Sequence, residues 1–159
     1  MPMKRIITIL IAIPITVATL MAVSMGVSHL YLNWKTYPQA REAPDWTVLA
    51  QEEIPSLVTF DPDQSRRITQ VWIAHVGQDA YLRTSDTLWF QNLQRNPTLE
   101  LRIGGVMFPC ATQVISDPDT VDEVHEAFRT KYPRRSAMFR ALGVSTNTII
   151  KLDCQAAEE

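Results

Sequence analysis

Ala80-Tyr-Leu-Arg-Thr-Ser85 reads as a strand that runs into Trp89-Phe-Gln-Asn-Leu-Gln-Arg95, a helix stopped at Asn96-Pro97. A strand ending in Arg83, Thr84 and Ser85 at a helix N-terminus assembles the ligands of an anion. Hydroxyls, a guanidinium, free backbone N–H groups and the positive end of the helix dipole converge there, and phosphate suits them. Trp89, in the first turn, could close over a flat ring; its spacing to Leu93 on one helical face is equally that of a core residue. Arg66 and Arg67, after the turn Asp61–Ser65, could add a second cationic contact or stand in solvent.

Other chemistries find less. His75 has no partner at ligand spacing, His29 and His125 are scattered, and no Cys/His or carboxylate pattern supports a metal. No serine sits in a strained elbow, so a Ser-His-Asp arrangement has no basis. Cys110 and Cys154 fall on two different expected strands, where a disulfide and two free thiols are both open.

The elements around these residues follow from pattern. Ile54–Phe60, with Pro55, is expected as a first strand at a sheet edge. Ile68–Val76, β-branched and aromatic, is expected as one strand, turned by Gly77-Gln-Asp79 into 80–84. Ser85 or Asp86 is expected to cap the following helix. Leu99–Ile103 and Val106–Ile115 flank Gly104-Gly105 as a second hairpin. Asp117-Pro118 starts a helix with Val121, Val124 and Phe128 on one face, ended by Tyr132-Pro133. A short helix over Ser136–Leu142, stopped at Gly143, and a last strand over Thr146–Asp153 complete the order. Antiparallel hairpins with two or three helices over the ends form a mostly β, α+β architecture, a small barrel.

The 159 residues carry a net charge of −2, with no basic excess for nucleic acid. Ile6–Val27 is a run of 22 residues without a charge, long enough as a helix to cross a bilayer, with Lys4 and Arg5 before it and Tyr31 and Trp34 after. It exceeds a signal-peptide core and no Ala-x-Ala follows it, which favours an uncleaved anchor. The expected organisation is an anchor over 1–32, a Pro-containing stalk over 33–51, and a barrel domain over 52–159. The basic residues weakly favour an extracytoplasmic barrel on a bacterial inner membrane.

The strand Val71-Trp-Ile-Ala-His-Val76, its hairpin to Tyr81-Leu-Arg-Thr84, the helix Trp89-Phe-Gln-Asn-Leu-Gln-Arg-Asn-Pro97 and the Gly104-Gly105 hairpin resemble the split β-barrel flavoproteins. The Trp-x-x-Asn-Leu-x-x-Asn-Pro helix is most similar to the deazaflavin-dependent nitroreductase family, and more distantly to pyridoxamine phosphate oxidase-like proteins. The resemblance covers about 68–132. It implies FMN or a deazaflavin across the barrel, phosphate near Arg83, Thr84 and Ser85, and hydride transfer to a quinone-like or nitroaromatic acceptor, with the cofactor carrying the chemistry. By analogy with relatives it also implies a homodimer. Deazaflavin-dependent members carry a Gly-Arg-x-Ser-Gly-Lys type loop; the matching place here, Asp63-Gln-Ser-Arg-Arg67, keeps the Ser and basic residues without the glycines. The expectation is a membrane-anchored flavin- or deazaflavin-dependent oxidoreductase whose pocket opens between Tyr81 and Trp89. The alternatives are a non-catalytic flavin- or haem-binding module and a cofactor-free tethered interaction domain.

Overall fold

The computed structural model describes residues 36–51, 54–141 and 148–157, with the side chains of 139 and 140 left aside. The expected membrane span over 6–27, and the Gly143 helix stop, lie outside the described residues. Among the described residues no helix is long and apolar enough to cross a membrane.

Seven strands form one antiparallel sheet: β1 (Ser56–Phe60), β2 (Arg66–Gln70), β3 (Ile73–Val76), β4 (Asp79–Thr84), β5 (Thr98–Ile103), β6 (Val106–Ile115) and β7 (Thr148–Cys154). Their order is β2-β1-β5-β6-β7-β4-β3. The first and last strands of that order are joined by Val71 and Trp72 alone, so the sheet must curl until its two edges approach. The result is a half-barrel, split along that seam.

The seam corrects the sequence reading in two places. The run 68–76 is two strands on opposite edges, because Val71 leaves the ladder to donate its N–H to Pro55 O at 2.9 Å. No glycine or proline marks this break; it is set by tertiary pairing. Consequently β1 is interior, paired to β2 and β5, and the edge role passes to β2. Pro55 precedes β1, so its missing N–H costs the ladder nothing.

Alternation along the strands separates two cores. Leu57, Ile73, Leu82, Leu101, Phe108, Ile150 and Leu152 fill the inside of the curl. The helix α2 (Leu88–Arg95) closes one end with Trp89, Phe90 and Leu93. On the outer face, Ala74, Tyr81 and Ile149 pack under α3 (Pro118–Lys131) through Val124 and Phe128. Asp117 caps α3 by accepting from Thr120 N, with Pro118 in the first turn, as its sequence requires. α4 (Pro133–Ala141) follows directly, starting three residues earlier than expected because Pro133 itself opens it.

Residues 37–51, part of the stalk expected over 33–51, pack on the barrel. Ala40 N donates to Met107 O and Met107 N to Pro38 O, a single parallel bridge onto β6. The one-turn helix α1 (Trp46–Leu49), capped by Asp45, buries Trp46 in the inner core. Gly104 and Gly105, both at positive φ (60° and 81°), make the tight β5–β6 turn.

Cys110 and Cys154 face each other in the β6–β7 register and form a disulfide across 44 residues of chain. Both are buried, and the bond holds β7 where its tail turns to Ala40 through Ala157 N. Reduction, or Cys154→Ser, is expected to cost about 2–4 kcal/mol of stability. Urea unfolding with and without dithiol checks it; coincident curves would show that the barrel does not depend on this bond.

Candidate functional site

Strand β4 sends Leu82 inward and Arg83 outward, and its last residue lies where α2 begins. Thr87, not Ser85 or Asp86, is the N-cap of α2, and it makes no side-chain cap bond. Asp86 instead accepts from Gln91 Nε2 at 2.9 Å. Thr84 Oγ1 is held locally, donating to Ser85 O and meeting Thr87 Oγ1, both at 3.0 Å. Of the two hydroxyls expected as ligands, the fold therefore occupies that of Thr84 and leaves that of Ser85 for a ligand.

These residues border a cavity of about 320 Å³ at the barrel seam. Gln70, Val71 and Trp72 form its seam wall, and Arg83, Thr84 and Ser85 enter from the end of β4. Thr87 and Trp89 enter from α2, and Arg135 from α4. Trp72 and Trp89 both stand in its wall. Tyr81, expected there, is buried under α3 because its side chain leaves β4 on the helix-covered face. Trp89 is 7% exposed, so it is a core residue that also walls the cavity.

Charge distinguishes this cavity. No carboxylate lines it, and neither Arg83 nor Arg135 has a carboxylate partner among the described residues. Each guanidinium rests on a ring instead: Arg83 over Phe128 at 4.8 Å and Arg135 over Trp72 at 5.0 Å. Burial, and then the neighbouring Arg129, lower the Arg83 pKa below its ordinary value. His125 is lowered likewise by burial, Arg83 and Arg129. Such a desolvated, cationic place favours an anion.

Arg66 and Arg67 are not brought to this cavity. They stand at the β1–β2 hairpin, Arg66 paired with Glu100 at 3.0 Å and Arg67 with Asp61 at 2.7 Å. Asp61 Oδ1 also accepts from Asn92 Nδ2 at 2.8 Å, and the same amide nitrogen donates to Thr59 Oγ1 at 3.0 Å. Arg95 donates back to Asn92 Oδ1. Asn92 is thus the pin between α2 and the hairpin. The residues sequence reasoning missed are Trp72 and Arg135. A large aromatic inside a β-branched run, and a dibasic pair after Tyr132-Pro133, were the only signals.

A curled antiparallel sheet split at a two-residue seam, with a cationic cavity on that seam, defines a split β-barrel. The chain belongs to the family described as uncharacterized protein conserved in bacteria (DUF2255), which it matches over residues 47–149. Solved structures share the fold at low identity. A conserved hypothetical protein, Rv2991, from Mycobacterium tuberculosis is 15% identical, with TM-score 0.55 over 75% of this chain and 86% of that one. An F420-H2 dependent reductase (FDR-A) is 13% identical, TM-score 0.53 over 64% and 95%. A candidate pyridoxamine 5′-phosphate oxidase from Listeria innocua is 14% identical, TM-score 0.52 over 68% and 88%. No curated protein sequence matches the chain.

The pin at Asn92 yields a prediction. Hydrogen bonds from Arg67 first, and then from Asn92, hold the Asp61 carboxyl below its ordinary 3.8. A depressed carboxylate pKa stabilises the fold above the unfolded value and loses that contribution as pH falls through the folded one. Asn92→Ala, at a site 5% exposed, is expected to cost about 1–3 kcal/mol and to move the acid-unfolding midpoint to higher pH. Circular dichroism across an acid titration reads both.

Proposed function

We propose that this chain is a membrane-anchored, flavin- or deazaflavin-dependent oxidoreductase of the nitroreductase or quinone-reductase kind. The observation that carries the reading is the seam cavity, where two guanidiniums without carboxylates meet two indoles. The F420-H2 dependent reductase and the pyridoxamine 5′-phosphate oxidase candidate share the fold and supply the cofactor class by analogy.

The residues present fit a phosphorylated flat ring. Arg83, Arg135 and the Ser85 hydroxyl would hold the phosphate, and Trp72 and Trp89 would flank the ring edge. A bound FMN or deazaflavin would supply the hydride chemistry. The chain's own part is to orient the ring and keep water from it; no acid or base among the described residues lines the cavity, so none is assigned. At about 320 Å³ the cavity is near the lower end of ligand sites. It would take the phosphate and one edge of the ring, and a second copy of the chain would have to cover the rest, so the proposal includes a homodimer.

The apolar run over 6–27 is proposed as the anchor, beside lipid-soluble quinone-like or nitroaromatic acceptors. The Cys110–Cys154 disulfide supports a barrel on the oxidising side of a bacterial inner membrane. A second reading, a flavin carrier without turnover, is favoured by the absence of any acid or base among the lining residues. Haem is less favoured because no His, Cys, Met or Tyr among the described residues lines the cavity to ligate iron.

Protein purified in mild detergent is expected to bind FMN or a deazaflavin, seen in its visible spectrum, and to reoxidise with a quinone once reduced. A bound chromophore that does not reoxidise leaves the carrier. Arg83→Ala is expected to weaken FMN binding by about tenfold or more, the scale of a charge-assisted hydrogen bond. An unaltered dissociation constant removes Arg83 from the phosphate site.

A further inference from the structure

A cavity larger than that of the seam lies away from it, and the two share no lining residue. It holds about 770 Å³ between β3, α3 and the C-terminal end of α1, within the usual range of small-molecule sites. Its space comes from short side chains. Ala74 and Val76 leave β3 on the helix-covered face, Ala127 stands on α3, and Ala50 closes α1. On the neighbouring stripe of α3, Val124 and Phe128 fill the gap to the sheet; these four residues leave an apolar hollow instead.

The polar groups around the hollow are mostly hydrogen-bond acceptors, because their donors are already used. Lys131 commits its ammonium to the carbonyl oxygens of Ala50 and of Ile73, the latter at 2.9 Å. Gln51 gives an N–H to Thr47 O at 3.0 Å and keeps its side-chain oxygen. His75 Nδ1 meets Gly77 O at 3.3 Å. A carbonyl can only accept, so Nδ1 donates and Nε2 is the acceptor of the neutral ring. Glu126 is paired with Arg129 at 2.6 Å, whereas Glu123 has no ion-pair partner among the described residues. Glu123, Ala127 and Thr130 follow one another along one stripe of α3, so the carboxylate stands at one end of the apolar wall.

We propose that this cavity binds a primary ammonium ion on an apolar body, an alkyl- or aralkylamine, with Glu123 as its counter-ion. An ammonium brings three donors and one positive charge to a place that offers acceptors and one unpaired carboxylate. The body covers Ala74, Val76 and Ala127 and takes their apolar surface out of water. Lys131 sets the number of charges. It stands eight residues beyond Glu123 on α3, about 12 Å at the helical rise, and a second ammonium at that end would meet its cation. The ligand is therefore a monoamine. An alcohol of similar shape forgoes the charge-assisted bond, and a carboxylate meets like charge at Glu123.

Isothermal titration calorimetry of detergent-solubilised full-length protein tests this with phenethylamine, phenethyl alcohol and hydrocinnamate, at pH 8, where the amine is protonated. The amine is expected to bind at about 1 mM or tighter. It is expected to exceed the alcohol by about tenfold, with the carboxylate weakest. Glu123→Gln keeps the shape of an exposed side chain, so the fold is not at stake. It is expected to bring the amine down to the affinity of the alcohol and to leave the alcohol unchanged.

Ala127→Leu, which fills the hollow, is expected to abolish binding of amine and alcohol alike; should it fail to fold, Glu123→Gln decides. Equal affinities for amine and alcohol, a preference that survives Glu123→Gln, or no saturable binding of the amine overturns the proposal. Tighter binding of the carboxylate overturns it as well and gives the cavity to Lys131. Neither variant alters a residue of the seam cavity, so the outcome is independent of flavin binding.

Discussion

The two-residue link between β2 and β3 is the constraint from which the rest of the molecule follows. Strands adjacent in sequence occupy opposite ends of the sheet order, and Val71-Trp72 is too short to cross a flat sheet. Seven flat strands would stand about 29 Å from edge to edge at ordinary spacing, whereas the three steps from Gln70 to Ile73 reach about 11 Å. Curling is therefore a matter of chain length before it is one of packing. The curl creates an inside for Leu57, Leu82, Leu101 and Ile150 and a seam that cannot be zipped, because Val71 bonds Pro55 and leaves the ladder. Trp72, on that seam, lines the cavity wall.

The same geometry divides the arginines into two kinds. Arg66 and Arg67 sit on the β2 edge, within reach of Glu100 and Asp61, and are paired. Pairs this exposed add little stability, but they leave their guanidiniums occupied. Arg83 and Arg135 come from the other edge and from α4, where the neighbouring surface is aromatic. They are oriented by rings, and one of them is half-buried beside a further cation. Two arginines next to a turn and two beside a seam look equivalent in sequence; the identity of their neighbours leaves only the second pair without a carboxylate partner among the described residues.

Local signals carried most elements. Asp117-Pro118, Gly104-Gly105, Gly77 and Asn96-Pro97 mark their boundaries by backbone chemistry that needs no partner, and the observed elements begin and end beside them. Arg83, Ser85 and Trp89 were legible as neighbours because strand end and helix start are contiguous. What stayed hidden depends on contacts across the chain. The break at Val71 has no local cause, and 37–51 looked like a stalk because its prolines speak for extension while Trp46 and Ala40 find their burial only against β6 and the inner core. Arg135 lines the same cavity as Arg83 from 52 positions along the chain, a separation on which a single sequence is silent.

The hairpin at 61–65 shows why a shared fold does not transfer a site. Where the resembling proteins keep glycines so that backbone can approach a phosphate, this chain places Asp61 and Asp63, the latter accepting from Ser65 N–H and hydroxyl. Asp61 takes Arg67 and Asn92, so the turn already contains its own anion, with Arg67 turned in to it and Arg66 paired with Glu100. An incoming phosphate there would meet two carboxylates. At the seam it would meet none. Electrostatics alone therefore disfavours an anion in the loop and favours one at the end of β4. The Ser and Arg that remain in the loop are left with structural work, holding α2 to the hairpin so that Trp89 and Thr87 stand at the cavity's edge.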